Sequence, residues 1–243
     1  GPWQKTEFYL NYGHGFHSND ARGTTITQEP GTGNAVDKVK PLVRTKGYEI
    51  GLRSEFVPGW QSTVALWQLN AASELVFVGD AGTTEASRPS SRYGFEWTNL
   101  YVMTDWLAFD ADLAWSHARF RDADPVGQYI PGAVTATANL GMTVDHIGPW
   151  FGALRFRYFG SRPLIEDNSV RSAGSQLSNL RLGYRFDKRT QLALDVYNLF
   201  DRMVNDIEYW YESQLAGEAA PLADRHIHPT EPRTFRLSIS HQF

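Results

Sequence analysis

Two short histidine groupings carry the side chains best suited to chemistry. His14, His17 and Asp20 lie close together, and imidazole nitrogen with carboxylate oxygen suits a transition metal. His226 and His228 alternate, so an extended backbone puts both rings on one side. Neither set supplies a full ligand shell, His228 runs straight into Pro229, and a polar loop accounts for each without a metal. The run His17-Ser18-Asn19-Asp20 also holds residue types used in acyl transfer, which would make the chain a lipid-ester hydrolase that Ser18→Ala inactivates. Adjacent residues do not converge as a triad must. No Gly-x-Ser-x-Gly elbow, no His-Glu-x-x-His and no phosphate-cradling glycine loop is present. The expectation is therefore no enzyme and no cofactor.

A second population of able residues is spread along the chain: Glu49, Arg53, Glu96, Asp110, Asp112, Arg155, Arg157, Arg181, Arg185, Asp195 and Arg236. Each sits where apolar and polar residues alternate. The final stretch, 233–243, is the clearest case: Phe235, Leu237, Ile239, His241 and Phe243 fall on one side, and Thr234, Arg236, Ser238, Ser240 and Gln242 on the other. A period of two is a strand with one apolar and one polar face. A terminal strand of this kind, ending in Phe, resembles the closing strand of bacterial outer-membrane β-barrels. Its length suits a tilted strand crossing a bilayer, about 9–11 residues.

The rhythm recurs. Alternating segments are predicted over 5–13, 45–56, 61–70, 93–103, 107–120, 134–144, 150–159, 177–186, 191–200 and 233–243. In the third, Trp67 and Leu69 are expected on the apolar side. Val57-Pro58-Gly59, Thr104-Asp105, the stretch 146–149 and Asp187-Lys188-Arg189 read as tight turns. Between them run long polar connections, near 14–40, 71–92, 121–132, 160–175 and 201–232. An outer-membrane barrel has short turns at one end and long loops at the other. A soluble sandwich has no reason to keep every second connection short.

Composition fits. The net charge is −4, from 23 basic and 27 acidic residues, so nothing indicates a nucleic-acid partner. Cysteine is absent, which removes disulfides and thiolate metal sites. No apolar run reaches the roughly 18 residues a membrane helix needs. Mean hydropathy is low, but a barrel hides its apolar face in an alternating average. Aromatics make up 14%, which suits interfacial girdles; Trp115, Trp150, Tyr158 and Tyr184 read as belt residues before ligand-stacking ones.

Tyr9-Leu-Asn-Tyr-Gly-His-Gly-Phe-His-Ser-Asn-Asp-Ala-Arg-Gly23 resembles a strand and loop of TonB-dependent outer-membrane receptors. So does Leu194-Asp-Val-Tyr-Asn-Leu-Phe-Asp-Arg202, one loop before Pro232-Arg233-Thr234 and the terminal Phe243. The likeness covers essentially the whole chain. It implies a Gram-negative outer-membrane protein of the class that carries metal chelates, cobalamin or sugars through a 22-stranded barrel with an amino-terminal plug. With about ten strands, residues 1–243 are expected to form the carboxy-terminal part of such a barrel, without the plug or the TonB-binding box. The implied fold is all-β: antiparallel transmembrane strands in an up-and-down meander, open rather than closed on its own. The implied partners are outer-membrane lipid, the plug, the TonB complex and a scarce ligand such as a ferric siderophore. Phe16, His17, Asn19, Asp20, Arg22, His226 and His228 are the candidate ligand contacts in external loops. The alternating charges named above would line the lumen, guiding an anionic substrate or, more simply, meeting the plug and each other. An autonomous small pore is the alternative, and a lipid hydrolase a more distant one.

Overall fold

The computed structural model describes residues 3–19, 21–28, 33–35, 37–78, 83–86 and 88–243. The alternating segments are strands. In chain order the elements are β1 (Thr6–Ser18), α1 (Ala21–Thr25), β2 (Leu42–Ser54), β3 (Trp60–Ala71), β4 (Leu75–Val78), β5 (Thr83–Ala86), β6 (Ser90–Thr104) and β7 (Leu107–Phe120). Then follow β8 (Ala136–Ile147), β9 (Trp150–Phe159), β10 (Ser175–Arg185), β11 (Thr190–Tyr197), β12 (Asn205–Ser213), β13 (Leu222–Pro229) and β14 (Thr234–His241). β1, β3 and β6 run longer than the pattern alone indicated, and β11 and β14 run shorter.

Ten of these strands make one antiparallel sheet in the order β1-β2-β3-β6-β7-β8-β9-β10-β11-β14, and β4-β5 and β12-β13 are separate two-stranded hairpins. Both hairpins, and α1, lie in connections read from the sequence as loops. The short connections are tight for stated reasons. Gly59 has φ +77°, and a Cβ there would meet the Val102 carbonyl oxygen at 2.5 Å, so the β2–β3 turn requires glycine.

The sheet does not close. β1 pairs only with β2 and β14 only with β11, and no ladder joins β1 to β14 among the described residues. Each outer edge presents unpaired backbone groups, which a sheet in lipid cannot leave unsatisfied.

Directly opposed residues share a face, so the register assigns every side chain. One face holds Leu10, Ile50, Leu66, Phe95 and Trp115 in a row across β1, β2, β3, β6 and β7. At the other end it holds Leu180, Val196 and Phe235, then Leu182, Leu194 and Leu237. The opposite face carries Arg181, Asp195 and Arg236 in one row. Many large apolar side chains on the first face stand in the open: Leu237 is 70% exposed and Ile239 73%. A contiguous surface of that kind marks an interaction with something other than water. The described residues bury little within the chain. A small core of Ala118, Phe120, Ile130 and Ala133 forms where β7 runs into its long connection.

Two sequence expectations change. β1 continues through His14–Ser18 instead of ending at Gly13, because its ladder with β2 runs on to the Ser18–Leu42 pair. Trp67 and Leu69, expected outward, lie on the polar face: Trp67 is opposite Glu49 and Gly94, and Leu69 opposite Gly47 and Arg92. The alternation in β3 is weak, and its neighbours set its phase.

Candidate functional site

The polar face is a charged wall with a left–right division. Carboxylates predominate from β1 to β7, at Glu7, Glu49, Glu96, Asp110 and Asp112 against Arg53 and Arg92, while cations predominate from β9 to β14, at Arg155, Arg157, Arg181, Arg185 and Arg236 against Asp195. The two halves meet across β8, where Arg155 and Asp110 form an ion pair on either side of Gly141. A side chain at Gly141 would occupy the place of that pair.

Most of the cations are already matched. Arg181 makes a forked contact with Asp195, Nε to Oδ1 at 2.6 Å and Nη2 to Oδ2 at 2.9 Å. Arg185 makes another with Asp145, at 2.5 and 3.1 Å, while its guanidinium lies 4.5 Å from the centre of the Phe151 ring. Planar guanidinium and carboxylate match in two parallel hydrogen bonds, which fixes orientation as well as charge. Arg53 faces Glu7 at 3.7 Å. Arg236 lies over the Tyr197 ring at 5.1 Å. Arg157 reaches out of the sheet to Asp206 of β12, at 3.2 Å, and so ties the large hairpin to the wall. On the acidic side, Glu49 accepts from Asn11 Nδ2 at 3.1 Å. Glu96 and Asp112 have no hydrogen bond or ion pair among the described residues. A concavity of about 530 Å³ lies here, lined by Asn11, Glu49, Trp67, Leu69 and Glu96 with their neighbours.

All five long connections of the ten-stranded sheet leave it at one end, and several are built structures. Asn198 is the clasp of the last one. It sits in the left-handed region at φ 49°, which Asn tolerates better than most residues, and it is buried. Its Oδ1 accepts from the Arg202 N–H at 2.9 Å, and its Nδ2 donates to the Arg202 and Glu231 carbonyls at 3.0 and 3.1 Å. Asp201, also at positive φ, accepts from the Arg233 N–H at 2.9 Å. The Asn-Leu-Phe-Asp and Pro-Arg-Thr segments are thus the two sides of one neck beneath β12–β13.

Arg88 performs a similar task for the connections after β7 and β9. It donates to the Gly127 carbonyl at 2.7 Å, lies 4.1 Å from the Phe120 ring centre, and has Asp122, Asp124 and Glu166 within 3.8 Å. Nearby, Asp167 accepts from the N–H and hydroxyl of Ser169, both at 2.9 Å, and these donors hold its carboxyl below the usual carboxylate range. No local pattern in the sequence marks Arg88, and the motif containing Asn198 gives no sign of its clasp role.

The structure scatters the residues singled out as ligand contacts. Phe16 is on the apolar face of β1, opposite Arg44, and His17 is on the polar face, opposite Val43. His14 shares the face of Phe16, so His14 and His17 point apart. Ser18 is likewise turned away from His17, which removes the acyl-transfer grouping. Asn19 is buried and spent on the chain itself, donating to the Lys40 carbonyl at 2.6 Å. Arg22 belongs to α1. Asp20 lies outside the described residues. His226 and His228 share one face of β13, but the His226 ring is stacked on Tyr211, centroids 3.7 Å apart. No grouping of three metal-ligating side chains occurs among the described residues.

The belt aromatics keep to the apolar face. Trp150 and Tyr184 meet edge to face at 4.9 Å beside the short turns. Trp115 meets Tyr93 at 6.0 Å toward the long connections.

A family model described as TonB dependent receptor-like, beta-barrel matches residues 2–199. No curated protein matches the chain. Among solved structures, the ferric-catecholate import receptor Fiu from E. coli K12 aligns over 99% of this chain and 33% of its own, with TM-score 0.73 and 20% identity. The ferric yersiniabactin uptake receptor FyuA from Yersinia pestis aligns over 98% and 35%, with TM-score 0.71 and 16% identity. The copper transporter OprC aligns over 98% and 37%, with TM-score 0.70 and 21% identity. At these identities the likeness is one of fold. The chain spans about a third of the length of the solved chains it matches.

Proposed function

This chain belongs to the TonB-dependent receptor β-barrel family, and from that premise we propose that it forms the carboxy-terminal wall of an outer-membrane receptor for a scarce metal chelate. One observation carries the reading: a charged face runs the length of an unclosed sheet, and every long connection gathers over one end of it. In this reading the apolar face meets lipid and the polar face meets the lumen, where the plug and the passing ligand lie. The long connections face outward from the cell and make the first contact with ligand. The basic half of the wall, β9 to β14, suits an anionic chelate such as a ferric siderophore. Arg155, Arg157, Arg181 and Arg185 there are held by carboxylates, so they offer fixed donors rather than loose charges.

Charge matching of this kind speaks for selective passage. A passive ten-stranded pore would need β1 and β14 to pair, and they do not among the described residues. The test is uptake of a radiolabelled ferric catecholate by iron-starved cells making residues 1–243 as the wall of a whole receptor with its plug, since the wall alone is not expected to support energised uptake, in hosts with and without TonB. Accumulation that requires both that receptor and TonB is expected. Accumulation that persists undiminished without TonB would overturn the proposal in favour of a pore.

A further inference from the structure

On the apolar face, side chains are layered along the strands. Toward the long connections the order is aliphatic, aromatic, then hydrogen-bonding or cationic. β1 reads Leu10, Tyr12, His14, with Phe16 beyond; β2 reads Ile50, Tyr48, Lys46, Arg44; β7 reads Leu113, Trp115, His117, Arg119. The register sets the layers side by side. Tyr12, Tyr48, Gln68, Tyr93 and His117 are successive cross-strand neighbours. One step further, so are His14, Lys46, Asn70, Ser91 and Arg119.

Every member of that last row can donate a hydrogen bond, and none is a carboxylate. Among the paired residues of the ten-stranded sheet, the apolar face carries no Asp or Glu at all. Its only Lys and Arg are Arg44, Lys46 and Arg119, all at this end. The contrast with the polar face is sharp, since Arg53, Arg155, Arg157, Arg181 and Arg185 there each meet a carboxylate. Arg44 and Lys46 are exposed, and their side chains have no hydrogen bond or ion pair among the described residues. Arg119 lies over the Tyr129 ring at 3.3 Å and donates to the Ala118 carbonyl at 2.9 Å, again without a carboxylate. Ser91 accepts from Gln68 Nε2 at 3.4 Å, which leaves its own O–H to donate.

Tyrosine and tryptophan collect where hydrocarbon gives way to headgroups. Cations two residues beyond such a layer stand about 7 Å further along the strand, at the depth of headgroup phosphates. Lys46 and Arg119 are separated by three strand spacings, roughly 14 Å, with Asn70 and Ser91 between them. We propose that this row, with Arg44 one layer beyond it, binds the headgroup of a phosphorylated lipid, Arg44, Lys46 and Arg119 being the cationic contacts and Asn70 and Ser91 donating between them. The continuity of the row with apolar surface selects a lipid over a free phosphate: the acyl chains occupy the face below the aromatic layer. The inference rests on the reading that the apolar face meets lipid.

Native mass spectrometry of the protein purified from membranes, with phosphatidic acid or phosphatidylcholine added to the detergent, tests it. In R44Q/K46Q, retention of phosphatidic acid falls about tenfold or more, while phosphatidylcholine is unchanged. The charge-matched control K188Q/R189Q, at the short-turn end, behaves as wild type. Excess inorganic phosphate does not displace the lipid. Should R44Q/K46Q not fold, R119Q in the same row replaces it. Undiminished phosphatidic acid binding in the row variant, an equal loss in the control, or displacement by inorganic phosphate each overturns the proposal. Failure of the wild type to retain either lipid would instead remove the membrane reading beneath it.

Discussion

The ring of Tyr9 lies across Gly51, the residue directly opposite it on β2, in the space a Cβ would need. Phe151 lies across Gly183 in the same way, between β9 and β10. Both pairs are on the polar face. A glycine in a strand loses packing and costs conformational entropy; an aromatic ring laid over it restores contact and covers the backbone.

The substitution G51A is expected to be mild, because the obstructing atoms are the far end of a side chain that can rotate aside. G94A is expected to cost about 1–3 kcal/mol, because its Cβ would meet the Trp115 backbone carbonyl oxygen, with the Trp67 ring alongside. Urea midpoints of the two variants check this. A larger loss in G51A would refute the distinction between yielding and unyielding neighbours.

The face assignment predicts a labelling pattern. Arg236 shares the face of Asp195 and Arg181, and Leu237 that of Leu194 and Leu182. In membranes, a water-soluble maleimide should react with cysteine placed at 236, 181 or 155 and spare 237, 182 and 154. Reaction at 237 with protection at 236 would mean a one-residue slip, which inverts both faces.

Removing the clasp should loosen the last connection. N198A loses the hydrogen bonds at the neck and places alanine at φ 49°. Each orphaned buried group costs about 1–3 kcal/mol, with backbone strain of similar size added. N198G relieves the strain but still lacks these hydrogen bonds, so it should fall between wild type and N198A. Limited proteolysis within 202–232, followed by mass spectrometry, ranks the three. Equal resistance in N198A and wild type would show that the neck holds without Asn198.

Asp187, in the β10–β11 turn, accepts from the Arg189 and Thr190 N–H groups at 2.6 and 2.8 Å, which lowers its pKa. A carboxyl lowered by folding stabilises the turn above its unfolded pKa and loses that contribution as pH falls through the folded one. The window therefore lies at and below the ordinary value of 3.8. The amide proton shifts of Arg189 and Thr190 should titrate together with a midpoint under that value. D187N should abolish the titration, and a midpoint above it would contradict the sign.

The period-two alternation is a local property, and it was sufficient to find the ten strands of the main sheet, the two faces of most of them and the long–short order of their connections. Leu180, Leu182 and Leu237 could be separated from Arg181 and Arg236 because successive side chains of a strand must point to opposite sides. Where alternation is weak, as at Trp67 and Leu69, no local rule chooses the face; Glu49 on one neighbour and Gly94 on the other choose it. The end of β1 beyond Gly13 was hidden for the same reason, since glycine and histidine residues give no strand signal and the ladder to 42–46 carries it. The hairpin β12–β13 pairs Asn205 with Pro229, the clasp at Asn198 reaches Glu231, 33 positions on, and Arg88 draws in partners from two later connections. Whether β1 meets β14 depends on register accumulated across the whole sheet. Contacts of that range are decided by tertiary pairing, because a sequence pattern states which way a side chain points along its own strand and is silent about what stands opposite.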